Sequence, residues 1–282
     1  MSVTPTSLLL TTLLLAGSTA LARPATACEG HGTTPAIETA QADAAQAPSA
    51  PAEAAAPATA DATAGWDALL HTFVTADGGF RYKALAADEA SMAKLNAFTE
   101  QVASADTSKL SREEALAFYI NAYNATTIAE VLKLWPVTSV LKKDGFFDKT
   151  KHLIAGESLT LNDLEKTKIR DPFKEPRIHF LVNCASASCP FIVGEAITAA
   201  NLEVLLDRQA TEYVSRTTRF PKGKKALEIS SIFDWYKDDF GGPEGVRTFI
   251  ASHVAPEQRA FVADSANKIG FFDYDWNTNA RD

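Results

Sequence analysis

The stretch SREEALAFYINAYNATTIAEVLKLWP, residues 111–136, constrains the chain more than any other. Ser111 and Glu114 have capping-box spacing, in which the N-cap side chain and a Glu three residues on satisfy each other's backbone N–H. Pro136, which cannot continue a helix, ends the run. Between them the sequence is mostly apolar on every side, so this helix must be buried among other elements. Asn121 and Asn124 interrupt it at i and i+3, on one face. Asn is a poor mid-helix residue because its side chain competes for backbone groups. Those amides have two possible uses: satisfying a buried loop backbone, or holding a ligand.

The neighbouring segments supply the elements to bury it. Trp66, Leu69, Leu70 and Phe73 form an apolar stripe at helical spacing, predicting a helix over 66–74. Asp77-Gly78-Gly79 reads as a turn before a short strand at 80–82, and 89–103 as a helix. Residues 151–160 read as a hairpin about Ala155-Gly156-Glu157. Thr160 and Asp163 form a second capping box, opening a helix to Arg170. The consecutive apolar residues of 177–183 suggest a strand buried on both faces. A helix follows from Thr198 to about Thr217, then a short strand over 226–230. Ser231 and Asp234 open another helix that stops at Gly241-Gly242. Two more helices are expected at 245–254 and 257–266, and FFDYDW reads as a last strand. Strands and helices do not alternate as a βαβ series. The expectation is therefore α+β: a single mainly helical domain over 65–282, with a small sheet and a buried central helix.

The residues before it are of another kind. Leu8–Ala22 is an apolar run too short to span a bilayer comfortably, ending in Ala20-Leu21-Ala22 as a small-x-small cleavage site. Residues 1–22 read as a signal peptide, giving an exported, periplasmic or secreted protein. Cys28 after Ala25-Thr26-Ala27 offers the alternative of a membrane-anchored lipoprotein. Residues 35–64 contain fifteen Ala, four Pro and no aromatic. That composition cannot offset its ordering entropy, so 23–64 reads as a disordered tether. The net charge of −8 and the lack of a basic stripe argue against nucleic acid as a partner.

The chemistry-bearing stretch is HFLVNCASASCP, 179–190. Cys184 and Cys189 are separated by four small residues. In an oxidising compartment such a pair is often a disulfide that pins its loop. Alternatively one thiol is reactive: Cys189 precedes Pro190, which suits the first turn of a helix, where a thiol's pKa is depressed. His179 could then serve as base, with Asn121 or Asn124 orienting it. On a continued strand His179 shares a face with Asn183 and not with Cys184, so the loop must turn for either thiol to meet the imidazole. Two thiols and one His are too few ligands for zinc, Asp238-Asp239 and Asp273/Asp275 match no calcium loop, and no nucleotide-binding pattern is present. No metal and no cofactor are implied.

Five blocks in order, AFYINAYNATTI (117–128), SLTLNDLEKTKIR (158–170), DPFKEPRIHFLVNCASASCP (171–190), ISSIFDWYKDDF (229–240) and FDYDWNTN (272–279), resemble the domain-of-unknown-function family DUF547. The resemblance implies a distant relation to papain- or transglutaminase-like folds. Lys166 departs from the family's pattern, which often places His there. Two functional readings follow. One is a cell-envelope binding or scaffold module, pinned by Cys184–Cys189 and offering Asn121, Asn124 and Asn183 to a peptide, protein or glycan; it would meet the membrane only if Cys28 is lipidated. The other is a thiol-dependent hydrolase or transferase using His179 with Cys189 or Cys184.

Overall fold

A computed structural model describes residues 58–281. The expected signal peptide and Cys28 lie outside the described residues. Helix α1 runs Ala58–Phe73, so 58–64, expected as part of the tether, is helical; the rest of the expected tether, 23–57, also lies outside the described residues. Ala favours helix where no Pro intervenes, and Trp66, Leu69, Leu70 and Phe73 anchor this one by burial. Helices α2 (Tyr82–Ala86) and α3 (Glu89–Ser104) follow. Phe80 makes only isolated bridges, and Tyr82 begins α2, so the expected strand there is a single bridging residue.

Helix α4 spans Arg112–Leu134 behind a complete Ser111/Glu114 capping box. It is the expected buried central helix: Ile120, Ala122, Ala125, Ile128 and Val131 have essentially no exposure. Strands β1 (His152–Ile154) and β2 (Glu157–Leu159) pair antiparallel. Ala155 and Gly156 at the tip both have positive φ, the sign pattern of a type I′ turn. Their N–H groups donate to Val102 and Ala103 carbonyls, so the hairpin caps the end of α3.

Thr160 and Asp163 form the second capping box and open α5 (Leu161–Asp163), but the helix widens at once into a π-helix over Leu164–Arg170. Helix α6 (Asp171–Phe173) closes it. The strand expected over 177–183 is instead a 3-10 turn, Pro176–Phe180, started by the Glu175 side chain accepting from Arg177 N–H. An apolar run does not by itself distinguish a doubly buried strand from a buried helical turn. Helix α7 is Leu202–Thr217, and the segment after Pro190 is irregular, so Cys189 does not sit at a helix start. Strand β3 (Ala226–Ser230) pairs in parallel with β4 (Lys268–Phe272). Between them lie α8 (Ile232–Trp235), a 3-10 turn Lys237–Phe240, α9 (Gly242–His253) and α10 (Pro256–Ala263). The domain is thus mainly helical α+β, with two small two-stranded sheets.

Two apolar clusters divide the domain. One gathers α1 to α4, the hairpin, the α5–α6 segment and the start of α7 (Leu202, Leu205 and Leu206); the other gathers the rest of α7 with β3, α8, α9 and α10. The segment 178–185 is shared between them: Ile178, Leu181, Val182 and Ala185 belong to the first and Phe180 to the second. Phe180 touches the rings of Tyr213, Phe233, Phe240 and Phe249. Phe180→Ala should therefore cost about 3–5 kcal/mol in denaturant unfolding; a loss below about 1 kcal/mol would show that this cluster does not hold the segment.

Candidate functional site

A cavity of about 400 Å³ opens where the two clusters meet. Its wall takes Tyr123 from α4, Asn162 and Glu165 from α5 and the π-helix, His179, Cys184 and Cys189 from the 178–190 segment, Trp235 and Tyr236 from α8 and its end, and Tyr274 and Trp276 from the C-terminal tail. Both thiols and the imidazole therefore face one space.

The loop holding the thiols is fixed from three directions. From α4, Asn124 accepts from Asn183 N–H at 2.9 Å and donates to Leu181 C=O at 2.9 Å. From within, Asn183 donates to Pro190 C=O at 2.7 Å and accepts from Ala185 N–H at 2.8 Å. From the tail, Asn279 N–H donates to Ala185 C=O and Ala187 N–H to Asn277 C=O. These bonds hold Ala185 at φ 62°, a left-handed conformation unusual for a residue with a Cβ. The kink lets the chain fold back, so that Cys184 Sγ and Cys189 Sγ lie 2.8 Å apart.

That separation is not a disulfide, whose bond is about 2.05 Å. Both cysteines are free thiols here, and the expected pinning bond is absent. The Asn183, Asn124 and tail hydrogen bonds pin the loop instead. The two sulfurs differ. Cys189 is buried and takes Cys184 N–H at 2.9 Å; burial, and then the neighbouring Cys184 sulfur, push its pKa well up. Cys184 is half-buried. Burial pushes its pKa up, but hydrogen bonds from Cys189, Ser186 and Tyr274 outweigh this and bring it down to about 7. Ser186 Oγ lies 3.1 Å and Tyr274 Oη 3.4 Å from its sulfur.

His179 is 2% exposed along its side chain, and its ring stacks on Tyr236 at 3.9 Å between centroids. Its partner is a carboxylate: Nε2 lies 2.7 Å from Asp239 Oδ2. Asp239 in turn takes Arg170 Nε at 2.6 Å and Arg170 Nη2 at 3.0 Å. Burial raises the Asp239 pKa, but His179 and Arg170 outweigh it and hold the carboxyl well below the usual range. Asp239 fixes Nε2, which leaves Nδ1 as the free imidazole nitrogen among the described residues.

Asn121 and Asn124 do not orient His179. Asn121 accepts from Trp66 Nε1 at 3.1 Å and from Ile197 N–H, and donates to Ile197 C=O at 2.7 Å. With Asn124 and Asn183 it is spent on loop backbone, and none of the three lines the cavity. Residue spacing marks Asp239 only as half of an acidic pair that matches no calcium loop, and does not single out Arg170, Glu165 or Tyr274. Tyr236 and Asp239 are three apart on a turn, and their block is among those quoted above, which was the available signal. Glu165 and Arg170 also lie in a quoted block, 158–170, but their spacing hides them: five apart on an α-helix they would point about 140° from each other. The π-helix, with its i→i+5 bonds, turns both toward the site. Among the described residues no group of His, Cys, Asp and Glu could hold a metal ion, and no helix is long and apolar enough to cross a membrane.

The fold and site define an α+β domain with a thiol pair and an imidazole–carboxylate pair around one aromatic-walled cavity. Residues 107–214 match the model of a family described as a protein of unknown function, DUF547, and over this stretch the chain is similar to that family. No curated protein and no solved structure matches the chain significantly. The matched stretch contains α4, Glu165, His179 and both thiols, while Asp239, Trp235, Tyr236, Tyr274 and Trp276 lie beyond it.

Two outcomes follow. Asn124→Ala would leave Asn183 N–H and Leu181 C=O buried without partners, and should cost about 2 kcal/mol or more in denaturant unfolding. The depressed Asp239 pKa gives a signed pH effect. Its stabilising contribution is complete above its unfolded value of about 3.9 and is lost as pH falls through the lower folded value. Asp239→Asn should therefore destabilise the protein at pH 6 and flatten the acid limb of its stability curve; an unchanged acid limb would show that the contacts with Arg170 and His179 do not stabilise the fold.

Proposed function

We propose that this domain is a thiol-dependent acyl-transfer enzyme, a hydrolase or transferase, with Cys184 as nucleophile and His179 as base. The observation that carries the reading is a half-buried thiol with a pKa of about 7, opening on the same cavity as an imidazole whose far nitrogen is held by a carboxylate. Cys184 is preferred to Cys189 because the latter is buried and its thiolate disfavoured.

The step is conventional in its balance. His179 Nδ1 takes the Cys184 proton, and the thiolate attacks an acyl carbon, forming a C–S bond. The leaving group departs with the proton returned from the imidazolium. Water or another acceptor then attacks the thioester, gives its proton to His179, and restores the thiol. Asp239 keeps Nε2 protonated and stabilises the imidazolium. The imidazole makes no hydrogen bond to either sulfur among the described residues, so proton transfer awaits substrate in the cavity, as is common for unliganded sites.

The competing reading, a binding module pinned by a Cys184–Cys189 bond, draws on the 2.8 Å sulfur contact. Export, expected from Leu8–Ala22, would place the pair where such bonds persist. Iodoacetamide labelling of unreduced full-length protein, read by peptide mass spectrometry, separates the two. The enzyme reading expects Cys184 to label with a midpoint near pH 7 and Cys189 to resist. A single cross-linked peptide would favour the module. His179→Ala should lower turnover of an activated ester such as p-nitrophenyl acetate by roughly 100-fold while leaving Cys184 alkylation at pH 9 intact. Equal turnover in the variant would remove His179 from the mechanism.

A further inference from the structure

Glu165 is unexplained by that chemistry. It is 7% exposed, lines the cavity, and forms no ion pair among the described residues. Arg170, on which the Glu165 charge acts, is bound to Asp239 instead. Its electrostatic trace is clear on its neighbours: burial first, and then the Glu165 charge, push the hydroxyl pKa values of Tyr123 and Tyr236 well up. The Tyr236 hydroxyl gives Glu165 a hydrogen-bond partner but no positive charge, and a buried carboxylate with no cation of its own remains costly.

The cavity wall also supplies ring faces. Trp235 stacks on Trp276 at 5.7 Å and 24°, and both pack against Tyr274 at under 5 Å. Trp235 is nevertheless 48% exposed, an unusual exposure for a large ring packed against two others. Ring faces attract cations, and so does a desolvated carboxylate. The Arg170–Asp239 pair contributes no net charge, so Glu165 and the Cys184 thiolate set the sign of the cavity.

We propose that Glu165 and the Trp235/Tyr274/Trp276 wall form a subsite for a cationic group, an alkylammonium or guanidinium carried by the substrate or acceptor. The inference deepens the acyl-transfer reading, since it names the substrate class of the same cavity. Glu165 takes the charge through its carboxylate, the rings cover the methylenes, and the acyl or amine atom is left toward Cys184. No covalent change at Glu165 is involved; it is a binding residue.

The test is a tryptophan-fluorescence titration of full-length protein with n-butylammonium, 1-butanol and butyrate. A saturable change with the ammonium, roughly ten-fold weaker with the alcohol and absent with butyrate, is expected. Glu165→Gln, folded by circular dichroism, should lose roughly ten-fold in ammonium affinity. Alcohol binding as tight as ammonium binding, an unchanged affinity in folded Glu165→Gln, or no saturable response to the ammonium would each overturn the subsite. If Glu165→Gln does not fold, the wild-type comparison of the three probes decides alone. The titration needs no reactive thiol, so a protein that binds n-butylammonium but whose Cys184 does not label would retain the subsite and lose the acyl-transfer reading.

Discussion

The site depends on one buried polar tie, between the Asn124 amide of the central helix and the backbone of 181–183. An amide side chain can donate and accept at once, so it replaces both missing bonds of a chain that leaves regular structure inside a core. Everything upstream and downstream takes its direction from that tie. His179 lies four residues before Asn183 on a 3-10 turn, and Cys184 follows it immediately. Asn183 then repeats the device on a smaller scale, reaching across the loop to Pro190. Because these amides bond to backbone and to Asn279 and do not line the cavity, they give rigidity to the groups that face it.

The charges are arranged on the same principle of one group serving two others. Asp239 accepts from an imidazole and from a guanidinium with both Nε and Nη2. Arg170 also lies over the Tyr236 ring, at 4.7 Å, and that ring stacks on His179. Imidazole, phenol, guanidinium and carboxylate thus form a closed ring of contacts in which no member can turn without disturbing another. Such networks are worth more together than their pairs. They explain why His179 keeps a defined orientation although its nearest chain neighbours sit in a turn rather than a strand.

Much of the fold was legible in the sequence because its signals are local. Both capping boxes, the end of α4 at Pro136 and the 152–159 hairpin rest on turn and cap chemistry within a few residues. The 177–183 segment was misread because its apolar residues serve two cores at once, and no periodicity encodes that. The site was half legible. His179 and the cysteines stood out by residue type. Their true partners did not, because Asp239 lies 60 residues from His179 and Tyr274 lies 90 from Cys184. Glu165 and Arg170 were hidden for a different reason: a π-helix turns residues five apart toward one site, whereas ordinary helical reasoning sends them to different faces.

The asymmetry of the two thiols ties these threads together. At 2.8 Å, one sulfur's proton is the other's stabilising donor, so Cys184 gains thiolate character only while Cys189 keeps its hydrogen. Burial of Cys189 enforces that division, and the Ser186 and Tyr274 hydroxyls add to it on the Cys184 side. Nucleophile and disulfide are therefore mutually exclusive uses of one pair of atoms. Joining the sulfurs removes two electrons and two protons, and with them both the donor and the acceptor of that hydrogen bond. A loop that needed only a covalent staple would gain nothing from the Ser186 and Tyr274 hydroxyls at Cys184. Their presence, together with a loop already fixed by Asn124, Asn183 and the tail, is the physical argument for chemistry at this sulfur rather than a structural crosslink.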